Sequence, residues 1–200
     1  MPAHKVVSQD EIIKAAMDIL RQSGSGGITA RNIAQKLGCS TQPLYRIFGE
    51  MSALELTLEK AVQDIQASEV KKYMQQSKYP PYMAYGLGLV TFARKEKRLF
   101  RYLYMSDRNG QEQVPVDMDI DARLEVMCDV YGYEMETAKK INSDMTIYCY
   151  GLALGVNTGT IDMDEDAIAD RLHSMFQALT ELYGKPGMLS DDRITGRYHL

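Results

Sequence analysis

Apolar residues recur along most of this chain at spacings of three and four, and they seldom alternate with polar ones. The clearest run is Ile168, Leu172, Met175, Phe176, Leu179, Leu182 and Tyr183. It falls on one side of a helix but on both faces of a strand. Leu54, Leu58, Ala61, Val62 and Ile65 repeat the pattern. This period predicts an all-α chain of about nine helices. Tyr82 to Ala93 is apolar nearly all round, which predicts a central helix. The uncharged run from Met145 to Ile161 falls short of the roughly 20 apolar residues that cross a membrane. It contains Asn157 and several threonines, so it reads as a buried helix.

Punctuation residues place the helix ends. Ser8 and Glu11 have the spacing of a capping box and open a helix with Ile12, Ala16, Ile19 and Leu20 inward. "GSGG" at 24–27 follows that helix and reads as a flexible connector. Thr29 caps a second helix carrying Ile33, Ala34 and Leu37, and Gly38 stops it. Ser40 is expected to cap a short third helix with Leu44, Ile47 and Phe48 inward. Pro43 sits in its first turn, where a missing N–H is harmless. "SKYPPY" at 77–82 is a break. Arg94-Lys95-Glu96-Lys97-Arg98 reads as a solvated helix end, and 109–116 as a loop. Asp117, Asp119 and Asp121 imitate a calcium loop, but Ala122 and Cys128 stand where glycine and glutamate are needed. They read as acids at a helix N-terminus, favourable to its dipole. A helix from Glu136 to about Thr158 and a last one starting near Asp162 or Asp164 follow. Gly184 and Pro186 end the last helix, and the remaining tail reads as loosely ordered.

The net charge of −4 is unevenly spread. Residues 1–50 carry six basic and four acidic side chains, and residues 51–200 carry 17 and 23. A basic N-terminal module that meets an anion and an acidic body that does not are expected. Cys39, Cys128 and Cys149 are odd in number and lack C-x-x-C spacing, which excludes a disulfide framework and points to a reducing cytosol. The first residues contain no apolar signal segment, so a cytoplasmic protein is expected. No metal or cofactor is expected. His4 and His199 lie in the ends and His173 on a polar helix flank, and no nucleophile motif places a partner beside them, so catalysis is not expected.

Two short helices joined by Gly38-Cys39-Ser40 have the helix-turn-helix form. In that form Thr41, Gln42 and Pro43 are offered to base edges, with Gln able to bond adenine at two points. Thr29, Tyr45 and Arg46 face the phosphate backbone, and Arg31 and Ser40 complete the set. "ITARNIAQKLGCSTQPLYRIFGEMSALELTLEKAV" (28–62) resembles the signature of TetR/AcrR bacterial transcriptional regulators. The residues that carry the resemblance are Thr29, Ile33-Ala34, Gly38-Cys39-Ser40, Leu44-Tyr45 and Phe48. Met51 departs from the lysine common at the start of the family's fourth helix, and Cys39 from the usual valine.

The resemblance implies a three-helix DNA-binding domain over 1–50 and a helical ligand-binding and dimerisation domain over 51–200. It implies a repressor that binds a palindromic operator as a homodimer and is released by a small effector. Dimerisation would use the last two helices, through Gly151, Gly155, Ile168, Leu172, Met175, Phe176 and Leu179. The implied pocket draws on Met83, Leu87, Phe92, Phe100, Tyr104, Met127, Met145 and Tyr148, in a chain with thirteen tyrosines and thirteen methionines to line a cavity. The alternative is a helical small-molecule-binding or protein-interaction module that reads no DNA sequence.

Overall fold

The computed structural model describes residues 7–105 and 120–184. Among the described residues are nine α-helices, a 3-10 turn at Ser25–Gly27, and no strand. The helices are α1 Gln9–Ser23, α2 Ala30–Leu37, α3 Gln42–Phe48, α4 Met51–Gln76, α5 Pro81–Lys95, α6 Lys97–Tyr104, α7 Ile120–Asp129, α8 Met135–Thr158 and α9 Glu165–Tyr183. The all-α expectation therefore holds. The loop at 109–116, Asp117, Asp119, Pro186, the tail, His4 and His199 lie outside the described residues. The helices pack as two compact units. One joins the described residues up to Ser68 with those from Glu96 to Met105, and the other joins Glu69–Lys95 with those from Ile120 onward.

In the first unit the caps act as the sequence requires, with one exception. Ser8 Oγ accepts the Glu11 N–H at 3.2 Å, and Glu11 Oε2 accepts the Ser8 N–H at 2.9 Å. Thr29 Oγ1 accepts the Asn32 N–H at 3.1 Å and starts α2. Gly38 ends α2 at φ 68°, ψ 35°, a left-handed conformation that strains any residue with a Cβ. There the Cys39 N–H reaches Ala34 O and the Gly38 N–H reaches Gln35 O, satisfying carbonyls the helix leaves over. The exception is Ser40. The N-cap of α3 is Thr41, with backbone in the right-handed helical region and no side-chain bond. A capping hydroxyl needs extended backbone to reach the N2 or N3 N–H, and Pro43 removes one of those donors. Instead Thr41 O accepts from Leu44 and Tyr45 N–H, a tightened first turn. Ile12, Leu20, Ile33, Leu54, Leu58, Val62, Leu99, Phe100 and Leu103 are wholly buried, so stripes from α1, α2, α4 and α6 supply the core. Each such side chain contributes about 1.5–3 kcal/mol.

The second unit is built around α5, which packs against α7, α8 and α9 and buries Ala84, Leu87, Gly88, Leu89, Val90, Phe92 and Ala93. Asn157 of α8 is buried, and its Nδ2 donates to Ala93 O at 2.9 Å. Asp164 caps α9 by accepting the Ala167 N–H at 2.8 Å. Lys78 Nζ reaches Asp166 at 2.8 Å, and the Tyr79 hydroxyl bonds the same carboxylate.

Within the 24–27 connector, Ser25–Gly27 form a 3-10 turn in which Gly27 packs on α1 while Gly24 and Gly26 are open. A Cβ on Gly27 would lie 2.9 Å from Ser23 Cβ and 3.0 Å from Ile19 Cγ2. Neither atom is the end of a flexible side chain. Gly27→Ala is therefore expected to cost about 1–3 kcal/mol, read as a fall in thermal midpoint of about 2–4 °C per kcal/mol. An unchanged midpoint would mean that the turn is loose.

Candidate nucleic-acid interface

The geometry of α3 follows from its sequence. Leu44 is the only one of its residues that is fully buried, and Ile47 and Phe48 are half-buried beside it. Gln42, Tyr45 and Arg46 lie three and four residues apart on the opposite side and are exposed, Tyr45 at 48%. Thr41 and Pro43 are half-buried at the N-terminal end, and Ser40 is exposed in the turn before it. Thr29 and Arg31 are exposed at the N-terminus of α2. Thr29 Oγ1 is already an acceptor for its cap, which leaves its hydroxyl proton able to donate to an anion. Neither α2 nor α3 has an acid in its first turn, so both helix N-termini keep their attraction for negative charge. Met51, at the first position of α4, is half-buried.

The eight expected pocket residues are divided between the two units. Met83, Leu87, Phe92, Met127, Met145 and Tyr148 pack in the second unit, whereas Phe100 and Tyr104 belong to the first. The rings of Phe100 and Tyr104 lie 4.7 Å apart between centroids, and the Tyr104 hydroxyl donates to Gln66 Oε1 at 2.8 Å. The interior polar cluster of the second unit is made of other residues. Buried Arg123 donates through Nε to Asn142 Oδ1 at 3.1 Å, and its guanidinium lies 4.1 Å from the centre of the Tyr85 ring. The Tyr82 hydroxyl also donates to Asn142 Oδ1, at 3.2 Å. A polar side chain in the same helical stripe as Ala138, Met145 and Cys149 was the signal for Asn142. No comparable signal marked Arg123, since a lone arginine in a helix reads as solvated.

Of the residues expected at a dimer face, Ile168, Leu172 and Leu179 are buried within their own chain, and Met175 and Phe176 are half-buried. The Phe176 ring lies 5.4 Å from Tyr82 and 6.2 Å from both Tyr131 and Tyr133. Gly155 is buried too, and the close approach it permits is to Ile161, whose Cγ1 would be 2.6 Å from an added Cβ. The large apolar residues that α8 and α9 turn outward are Ile147, Leu154 and Leu182, at 70%, 42% and 70% exposure, with Met135 at the start of α8 at 43%. Gly151 lies between the first two at helical spacing, with open space where a Cβ would stand.

Solved structures match most of the chain, among them three regulators. A putative TetR-family transcriptional regulator from Vibrio parahaemolyticus has TM-score 0.61 and 19% identity, over 85% of this chain and 97% of that one. A TetR variant from Acinetobacter baumannii AYE, in complex with minocycline, has TM-score 0.62 and 18% identity, over 90% and 99%. A TetR-like transcriptional regulator from Rhodococcus sp. RHA1 has TM-score 0.62 and 19% identity, over 88% and 96%. The chain has the TetR fold. At these identities the likeness is one of fold. No family model and no curated protein sequence matches the chain. Among the described residues no helix of this TetR fold is long and apolar enough to cross a membrane. No group of three His, Cys, Asp or Glu among them could hold a metal ion.

The two capping hydroxyls separate by experiment. Thr29→Ala is expected to destabilise the protein by about 1 kcal/mol, and Ser40→Ala to leave stability unchanged. Chemical denaturation of the two variants measures the difference. Equal losses would mean that Ser40 does cap α3.

Proposed function

We propose that the chain is a TetR-family transcriptional regulator acting as a repressor. It binds a palindromic operator as a homodimer and is released by a small-molecule effector. Residues 1–50 read the DNA, and residues 51–200 bind the effector and the second subunit, in the cytoplasm. The observation that carries this reading is the face of α3 that displays Gln42, Tyr45 and Arg46 to solvent while Leu44 anchors the other side. In the major groove Gln42 meets base edges with Thr41 and Pro43 beside it. Tyr45, Arg46, Thr29, Arg31 and Ser40 meet phosphates. Two such helices about 34 Å apart read successive turns of one palindrome.

The effector acts by binding one arrangement of the dimer better than another, and its differential affinity sets how far DNA binding falls. The polar cluster of Arg123, Asn142, Tyr82 and Tyr85 inside a mostly apolar unit supports placing the effector in the second unit. The minocycline-bound structural neighbour supports an effector of that size class.

Gln42→Ala and Tyr45→Ala test the reading. Each is expected to weaken operator binding at least about tenfold, by the loss of about 1–3 kcal/mol per base or phosphate contact. The circular dichroism spectrum and thermal midpoint stay unchanged. Undiminished binding by the variants would mean that this face of α3 does not read the operator, and no sequence-selective binding by the wild type would leave a helical module that does not read DNA.

The outward stripe on α8 and α9 supports a two-fold interface, and Gly151 allows close helix approach within it. The pair Ile147→Lys and Leu154→Lys is expected to convert dimers to monomers in light scattering without loss of helix content. Ile168→Ala is expected to cost about 2–5 kcal/mol of fold stability instead. Dimers that survive the lysine pair would place the interface elsewhere.

A further inference from the structure

The charged run at 94–98 does more than face solvent. Glu96 is the single residue between α5 and α6, and it occupies the N-cap position of α6 without making a cap bond. Its carboxylate instead accepts two hydrogen bonds from one guanidinium: Arg21 Nη2 to Oε1 at 3.0 Å, and Arg21 Nε to Oε2 at 3.2 Å. Arg21 is in the last turn of α1. Two residues further on, Arg98 Nη1 donates to the carbonyl oxygen of Arg21 at 2.7 Å and also to that of Gln22. These carbonyls belong to the set a helix leaves without internal partners, at the end that favours a cation. One arginine–carboxylate fork and one arginine on two orphan carbonyls thus clasp the same turn of α1.

What that turn supports is a short path to α2, packed at Gly27. Gly24 is the C-cap of α1, and at Gly27 the backbone comes so close that an added Cβ would meet Ser23 and Ile19. Asn32 Nδ2 donates to Gly27 O at 2.9 Å, and Thr29 caps α2 two residues beyond Gly27. The packing of Gly27 on α1 and the Asn32 bond to its carbonyl tie the end of α1 to the N-terminus of α2.

We propose that Glu96 and Arg98 are positioning residues for DNA binding. They fix the last turn of α1, and through Gly27 and Asn32 they hold Thr29 and Arg31 at the height where phosphates are met. The inference rests on the regulator reading above. Both residues act through α1, so their effect appears in affinity more than in stability, to which an exposed ion pair adds little. Glu96 gives an unusually clear sign. Removing its negative charge would by electrostatics alone favour DNA, whereas loss of positioning weakens binding.

The test uses the full chain and a labelled duplex carrying the sequence that the wild-type protein selects from a random pool. Affinity is measured between about 50 and 200 mM salt, where phosphate contacts set the slope. Glu96→Gln is expected to weaken binding by about three- to tenfold, with an unchanged salt slope and a thermal midpoint within about 4 °C of wild type. The swap of Arg21→Glu with Glu96→Arg is expected to recover most of the loss, and Arg98→Gln to weaken binding without a shallower slope. Unchanged or tighter binding by Glu96→Gln overturns the proposal, as does a swap that recovers nothing. A shallower slope for Arg98→Gln also overturns it, because Arg98 would then touch phosphate itself. A wild-type protein that selects no sequence overturns the regulator reading, and this inference with it. Selection by the wild type with indifferent variants overturns the inference alone.

Discussion

A helix of seven residues cannot hold its shape in water. Isolated helices below about 12–15 residues are marginal even with favourable sequences. α3 is therefore a helix only because its surroundings impose it. A left-handed glycine turn precedes it at Gly38, and Gly49 closes it at φ 76° with its N–H on Tyr45 O. Leu44, 2% exposed, is its anchor. With so little of α3 turned inward, most of its side chains can face a partner.

The same dependence extends outward through the first unit. α1 and α2 pack together, and Lys36 pairs with Asp18 across them at 3.3 Å. α4 adds Leu54, Leu58 and Val62, and α6 adds Leu99, Phe100 and Leu103. The α6 segment follows α3 by some fifty residues of chain, so the unit that displays α3 closes only when a distant stretch returns to it. Closure of that kind has an entropic cost that the buried leucines and phenylalanine offset.

The helices were legible in the sequence because their signals are local. Ser8 with Glu11, Thr29, Gly38 and the stripe of α9 each fix a backbone choice within a few residues. Ser40 misled because two candidate hydroxyls adjoin, and the choice between them depends on backbone angles set by Pro43 and the Gly38 turn. The period of a helix gives its apolar stripe but not what covers it. Ile168, Leu172 and Leu179 were therefore legible as one face, while their burial inside the chain was not. Ile147 and Leu154, which α8 turns to solvent, carry no mark in sequence that separates them from core. Long-range polar contacts were invisible for the same reason. Nothing near Glu96 in sequence points to Arg21, and nothing near Arg123 points to Tyr85.

The proposed function requires α3 to read a two-fold symmetric DNA sequence. Selection of bound duplexes from a fully random pool, followed by sequencing, measures this most directly. The expected result is enrichment of an inverted repeat whose half-site centres lie about one helical turn, 10–10.5 base pairs, apart or a multiple of it. A pool that stays random after repeated rounds at low salt, or that enriches only single unrepeated motifs, would contradict it.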